Sequence, residues 1–331
     1  KWTVVELLRA GFTVRAGVRS EDKVQTVREA VIAQLGEEFL YRLSFAKLNL
    51  LFDNGWLRAM LRIDAVVHAA GVVLAGEPDN KRRIVGPAVE GAERVLRFAT
   101  LAGVRRIIVA SCVASVAYGH EPLSGVHEFT AEHFTQLEGM PRPLAACIGA
   151  TIAERAAWAY ARREGLELTT IHAGHVLGPG LDDDVSASLR LIGWLLDGSR
   201  PRLPVNGVSV VDVRDVAAIL VAALQKDASV GQRYLVASDY VVFSHMAFIL
   251  KAAFPDWPVD LEVLPNWRIR LLALFGGPMR SYVHDLGHEK HYDRAKAEAL
   301  LGGPLISGRE AIVAAADSLI KFGRVTPLGS V

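Results

Sequence analysis

Apolar and polar positions along this chain switch repeatedly between two periods. The opening KWTVVELLRAGFTVRAGVRS places Val4, Val5, Leu7 and Leu8 at helical spacing, stops at Gly11, and continues as a β-rich run. Further runs rich in β-branched residues predict strands over 12–18, 65–69, 106–112, 166–171 and 233–236. Between them, 3.6-residue patterns predict helices over 22–35, 91–101, 151–163 and 212–225. Strand-helix alternation with near-continuous apolar strands points to an α/β fold, a doubly wound parallel sheet buried on both faces. From Gly178 the pattern loosens around Pro179, Pro201 and Pro204, and after Tyr240 it turns mostly helical, broken at Pro255, Pro258 and Pro265.

With 331 residues the chain exceeds the usual size of one core, which favours a large α/β unit with an added lobe. Apolar residues make up 51% and charged residues 22%, ample for such a core. Lys and Arg exceed Asp and Glu by one, 37 against 36, and no basic run is present, so nucleic acid is not an expected partner. The two cysteines, Cys112 and Cys147, form neither a disulfide framework nor a metal spacing, which predicts a reducing, cytoplasmic setting. The longest apolar run, 216–224, falls well short of the roughly 20 residues a bilayer span needs, so no membrane partner is expected.

Several motifs follow one another along the chain: HAAG at 68–71, PAVEGAERVL at 87–96, VASCVASVAYG at 109–119, TIAERAAWAY at 151–160, GP at 178–179, VVDVRDVA at 210–217 and AKAEALLG at 295–302. As an ordered set they resemble the extended short-chain dehydrogenase/reductase family, within the NAD-dependent epimerase/dehydratase superfamily. The nearest branch is that of the dihydroflavonol, cinnamoyl-CoA and aldehyde reductases. The resemblance implies a Rossmann-like domain over 1–177 plus about 206–238, and a smaller, interleaved substrate lobe over 178–205 plus 239–331. The first strand and Gly-rich loop of that fold have no counterpart in these residues, and the expectation is a chain that starts just past them. A homodimer, pairing through helices 91–101 and 151–163, is expected by resemblance alone.

In a dinucleotide fold, the end of the second strand chooses between a ribose hydroxyl and a 2′-phosphate. Arg19 stands at that place with Lys23 beyond it, and a guanidinium matches phosphate bidentately, so NADP is favoured over NAD despite Glu21 and Asp22 nearby. The resemblance assigns Asn49 to the adenine site, with Leu50, His68, Ala69 and Ala70 lining the cofactor. It also implies a Ser/Tyr/Lys set acting on a small-molecule carbonyl. Ser111 and Cys112 occupy the paired-serine positions, but Ala146 and Ala150 occupy those of the tyrosine and lysine. His172, with His175, lies just past a strand and is the expected substitute proton source. Tyr118 and His120 follow the preceding strand and are nearby in chain order.

The implied activity is NADP-dependent reduction of a small aldehyde or ketone, with low or absent turnover. The alternative is a catalytically inactive nucleotide-binding pseudoenzyme or small-molecule-binding protein. Trp194, Trp257, Trp267, Met246 and Phe248 are expected in the lobe's core. His284, His288 and His291 have spacings that would align imidazoles on a helix, but they lack an acidic or cysteine partner, so no metal is expected.

Overall fold

The β-branched runs pair in parallel. A computed structural model describes residues 1–70, 82–120, 125–140, 144–199, 203–274 and 283–327, and the structural statements below concern these. Gly71 of HAAG and Pro201 lie outside them. After helix α1 (Trp2–Arg9), strand β1 (Val14–Val18), helix α2 (Glu21–Leu35) and strand β2 (Leu43–Lys47) form a βαβ unit in which Val14 faces Leu43 and Val18 faces Lys47. Helix α3 (Trp56–Met60) leads to β3 (Ala65–His68), α4 (Arg82–Leu101) and β4 (Arg106–Cys112). Strand β5 (Gly125–Phe129), helix α5 (Ala145–Glu164), strand β6 (Glu167–Ala173) and strand β7 (His175–Leu177) follow.

Next come α6 (Ala187–Leu196) and β8 (Leu203–Pro204), followed by β9 (Gly207–Asp212), α7 (Val213–Gln225) and β10 (Arg233–Val236). The chain ends with β11 (Asp239–Val242), α8 (Phe243–Ala253), β12 (Val263–Leu264), α9 (Asn266–Leu274), β13 (His288–Tyr292), α10 (Ala295–Leu301) and α11 (Gly308–Lys321).

The central sheet has the order β10-β6-β4-β3, all parallel, with Ile107 beside Leu168 and Ser111 beside His172. One face is covered by α4 and α5 through Val95, Leu96, Ala99, Ala157 and Ala161. The other face meets α7 and α10 through Ile219, Leu220, Ala223, Ala297 and Leu300. Burial on both faces explains why these strands read as apolar runs without alternation. Arg15 on β1 ties the smaller ladder to the approach of β3 by donating to the carbonyls of Ala59 (2.8 Å) and Leu61 (3.0 Å).

A second core joins α6, α8 and α11 over β7 and β9 through Leu177, Ile192, Leu196, Met246, Leu250 and Ile312. Strand β9 ladders with β7 and β11 and contributes Val210 to the lobe core, while α10 packs with the sheet layer. The turn that leaves β7 packs against the start of α7, which explains the glycine of the GP motif. Gly178 has φ +96°, and a Cβ there would stand 2.8 Å from the Asp212 carboxylate, which caps α7 by accepting from Arg214 N.

Met246 is buried and Trp257 packs on the lobe core, but Trp267 and Phe248 are exposed, contrary to expectation. Histidines 284, 288 and 291 do not share a helix. His288 and His291 lie on β13, whose pairing with β5 takes precedence over the local spacing. Among the described residues, no group of His, Cys, Asp and Glu is arranged to hold a metal ion, and no helix is long and apolar enough to cross a membrane.

Candidate functional site

In an open α/β sheet, ligands bind past the carboxyl ends of the strands, and most of the sequence-predicted residues lie there. Arg19 is exposed just past β1. Lys23, on the first turn of α2, is held 3.1 Å from Asp184, a carboxylate of the loop before α6. Asn49 follows β2, and its Oδ1 accepts from Leu51 N at 2.9 Å, so half of its amide serves its own turn. Leu50 rests against Gly91 of α4, and its carbonyl accepts from the Arg94 guanidinium. This brings the end of β2 beside the helix that follows β3.

His68 ends β3 in a buried position, and Ala69 and Ala70 are exposed beyond it. Burial lowers the His68 pKa from 6.5 to about 4, so the ring is neutral near pH 7. Between pH 6.5 and about 4 the unfolded chain therefore binds a proton that the folded chain refuses, and stability falls as pH drops through that window. The His68 ring resonances are expected to hold their neutral positions down to about pH 4, which an NMR titration checks.

Strand β4 delivers Ser111 and Cys112, and burial raises the Cys112 thiol above its ordinary pKa, leaving a protonated, weak donor. Next to them, the expectation for His172 is corrected. Its ring is fully buried, with Nδ1 3.0 Å from Ser115 Oγ and Nε2 2.9 Å from Thr170 Oγ1 and 3.2 Å from Glu154 Oε1. Both ring nitrogens are engaged within the protein, which leaves neither to meet a ligand. Glu154 also binds Arg233 at 2.7 and 3.1 Å and accepts from Trp158 Nε1 at 3.2 Å. Burial opposes its charge, yet His172 and then Arg233 hold its pKa down to about 2. His175 is likewise pushed towards its neutral form by burial.

Helix α5 starts at Ala145 and packs against the short turn Val113–Ser115 that leaves β4. Ala146 is exposed and Ala150 half-buried one turn later, whereas Cys147 and Gly149 are buried between them. Two methyl groups thus occupy the stretch of α5 beside the end of β4.

Two polar groups without a sequence signal, Asp285 before β13 and Lys290 on it, reach Tyr118 in the segment after β4. Tyr118 packs with Leu235 and Ala237 at the end of β10 and with Phe129 and Tyr292. Its hydroxyl is 3.5 Å from Asp285 Oδ2, Lys290 Nζ lies 3.4 Å from its ring centroid, and Lys290 and Asp285 form a close ion pair. Burial, with Asp285 adding, holds the Tyr118 and Tyr292 phenols well above their usual pKa. No motif could have signalled this, because Asp285 follows Tyr118 by 167 residues.

The model of the NAD dependent epimerase/dehydratase family matches residues 1–237. Cinnamoyl-CoA reductase 1 of Arabidopsis thaliana is 30% identical over 263 residues, covering 79% of this chain and 73% of that reductase. Dihydroflavonol 4-reductase of Zea mays is 29% identical over 264 residues, 78% of this chain and 72% of its own length. Yeast methylglyoxal/isovaleraldehyde reductase Gre2, solved with NADPH, superposes with a TM-score of 0.76 at 24% identity over 98% of this chain and 96% of its own.

Proposed function

Because the chain belongs to the NAD dependent epimerase/dehydratase family, we propose that it binds NADP(H) along the carboxyl edge of its sheet and slowly reduces a small aldehyde or ketone there. The observation that carries this is the presence, at or past the carboxyl ends of β1, β3 and β4, of an exposed guanidinium, two small exposed residues and a strand-end hydroxyl. They are Arg19, Ala69 with Ala70, and Ser111. These residues suit the dinucleotide. Arg19 offers a bidentate donor to a 2′-phosphate, the alanines leave room for close approach to backbone, and neutral His68 adds no charge beside them.

When bound, the dinucleotide supplies the hydride. Arg19 anchors its phosphate end, and Lys23 supports it once released from Asp184. Asn49 keeps its amide NH₂ for a base edge while Oδ1 holds the turn. Ser111 orients the carbonyl oxygen, and the methyl groups of Ala146 and Ala150 offer no proton to it. General acid catalysis is worth about 10²–10⁴-fold, so its weakening accounts for slow turnover without excluding hydride transfer.

Tryptophan quenching on titration with NADPH and NADH tests the cofactor. NADPH is expected to bind more tightly, and Arg19→Ala to remove most of that preference, on the order of tenfold for about 1.4 kcal/mol. Equal affinities in the unaltered chain would remove the assignment of Arg19. The alanines at 146 and 150 favour a second reading, a nucleotide-binding protein without turnover, and a carbonyl panel separates the two.

A further inference from the structure

Tyr118, Asp285 and Lys290 form a polar cluster that no residue role above uses. It lies over the carboxyl ends of β4 and β10. Tyr118 comes six residues after Cys112, it packs against the cluster that includes Leu235 and Ala237, and its backbone is fixed by N–H donation to Thr135 Oγ1 (3.2 Å) and acceptance from Gln136 N (2.8 Å). Asp285 precedes β13 and Lys290 lies on it, so the cluster joins β13 to the segment that follows β4. Their side chains are largely covered, 19% and 14% exposed, yet still reach water. The cluster contains a phenol, an ammonium and a carboxylate beside the strand end that carries Ser111 and Cys112. It thus offers, from other elements, the phenol and ammonium that α5 lacks at positions 146 and 150.

We infer that Tyr118 hydrogen-bonds the oxygen of a carbonyl substrate bound over Cys112 and gives it a proton, with Asp285 and Lys290 as positioning residues for the phenol. The inference rests on the reductase reading above. In the step, the carbonyl carbon gains a hydride from the reduced nicotinamide and the C=O π pair moves to oxygen. The oxygen then takes the proton of the Tyr118 hydroxyl. Water returns that proton to the phenolate by way of the Lys290–Asp285 pair. The sum is carbonyl, reduced dinucleotide and one proton in, alcohol and oxidised dinucleotide out.

The phenol is protonated throughout the neutral range, because burial and the Asp285 carboxylate both disfavour its ionised form. It is therefore always available as a donor to an oxygen gaining charge, but it remains a reluctant acid, in keeping with slow turnover. Lys290 over the ring face and paired with Asp285 limits the rotation of both partners.

The experiment compares the unaltered chain with Tyr118→Phe, which keeps the ring packing, and with Lys290→Met and Lys290→Arg. NADPH affinity, melting temperature and steady-state carbonyl reduction against pH are measured for each. Tyr118→Phe is expected to lower kcat about 10²-fold or more while NADPH affinity and melting temperature hold. Lys290→Met is expected to lower kcat and move the alkaline limb of the pH profile, and Lys290→Arg to restore both. Unchanged kcat in Tyr118→Phe overturns the assignment and leaves the reductase reading standing. NADPH binding by the unaltered chain without turnover of any carbonyl also overturns it. A chain that binds no dinucleotide removes the reductase reading, and the assignment falls with it.

Discussion

Replacing Glu154 by alanine is expected to lower stability by about 3–5 kcal/mol, the usual cost of stripping a buried ion of its partner. Glu154 is buried on α5 and faces two strands at once, with Arg233 of β10 at 2.7 and 3.1 Å and His172 of β6 at 3.2 Å. Arg233 is itself buried. Its Nη1 donates to the carbonyls of Ala131 and His133, and its guanidinium lies 3.7 Å from the Phe134 ring centroid. Removing the carboxylate leaves that cation without a counter-charge in a place water barely reaches. A typical domain is stable by only about 5–15 kcal/mol, so the loss is a large fraction of the total, and urea denaturation would register it as a lower midpoint.

The same network predicts an acid limit. The Glu154 carboxyl falls from 4.5 to about 2 on folding, so the unfolded chain takes up more protons between those values. Stability contributed by the group is complete above pH 4.5 and is lost as pH falls towards about 2. In Glu154→Gln that part of the pH dependence should vanish.

What could be read from the sequence follows from how local each signal is. Strands 106–112 and 233–236 are predicted to the residue, because a parallel strand covered on both faces announces itself as an apolar, β-branched run. Helix α5 is longer than its pattern, starting at Ala145 instead of 151, since AACIGA carries no amphipathic period yet is packed against the turn after β4. The sheet β11-β9-β7 had no signature, as short strands joined across the lobe depend on pairing far apart in the chain.

From the sequence His172 lies just past its strand, whereas β6 runs on to Ala173, and sequence position does not tell which way its ring turns. Glu154 and Ser115 draw it inward. Tyr118 was visible as a residue following β4, whereas its partners, Asp285 before β13 and Lys290 on that strand, could not be paired with it from spacing. The family motifs fixed the frame of the site. The groups that fill it are tertiary.

Ala146→Tyr combined with Ala150→Lys is expected to raise NADPH-dependent carbonyl reduction by up to about 10²-fold, the part of the roughly 10²–10⁴-fold span of general acid catalysis that Tyr118 does not already supply. The two positions are four residues apart on α5, so their side chains share a face one turn apart. Ala146 is exposed and Ala150 half-buried, which leaves room for larger side chains with limited repacking. An ammonium there would lower the pKa of the neighbouring phenol towards neutrality by favouring its ionised form. Tyr118 lacks that help, because burial and Asp285 both push its phenol the other way. The introduced pair should therefore be the stronger acid, and its gain should survive Tyr118→Phe. Single substitutions should give little, since a phenol without its cation stays near its ordinary pKa and a lysine without the phenol has no proton path to the oxygen. Steady-state rates for the two single variants and the double variant test this coupling directly. No gain in the double variant, with NADPH still bound, would mean that the carbonyl does not bind beside α5.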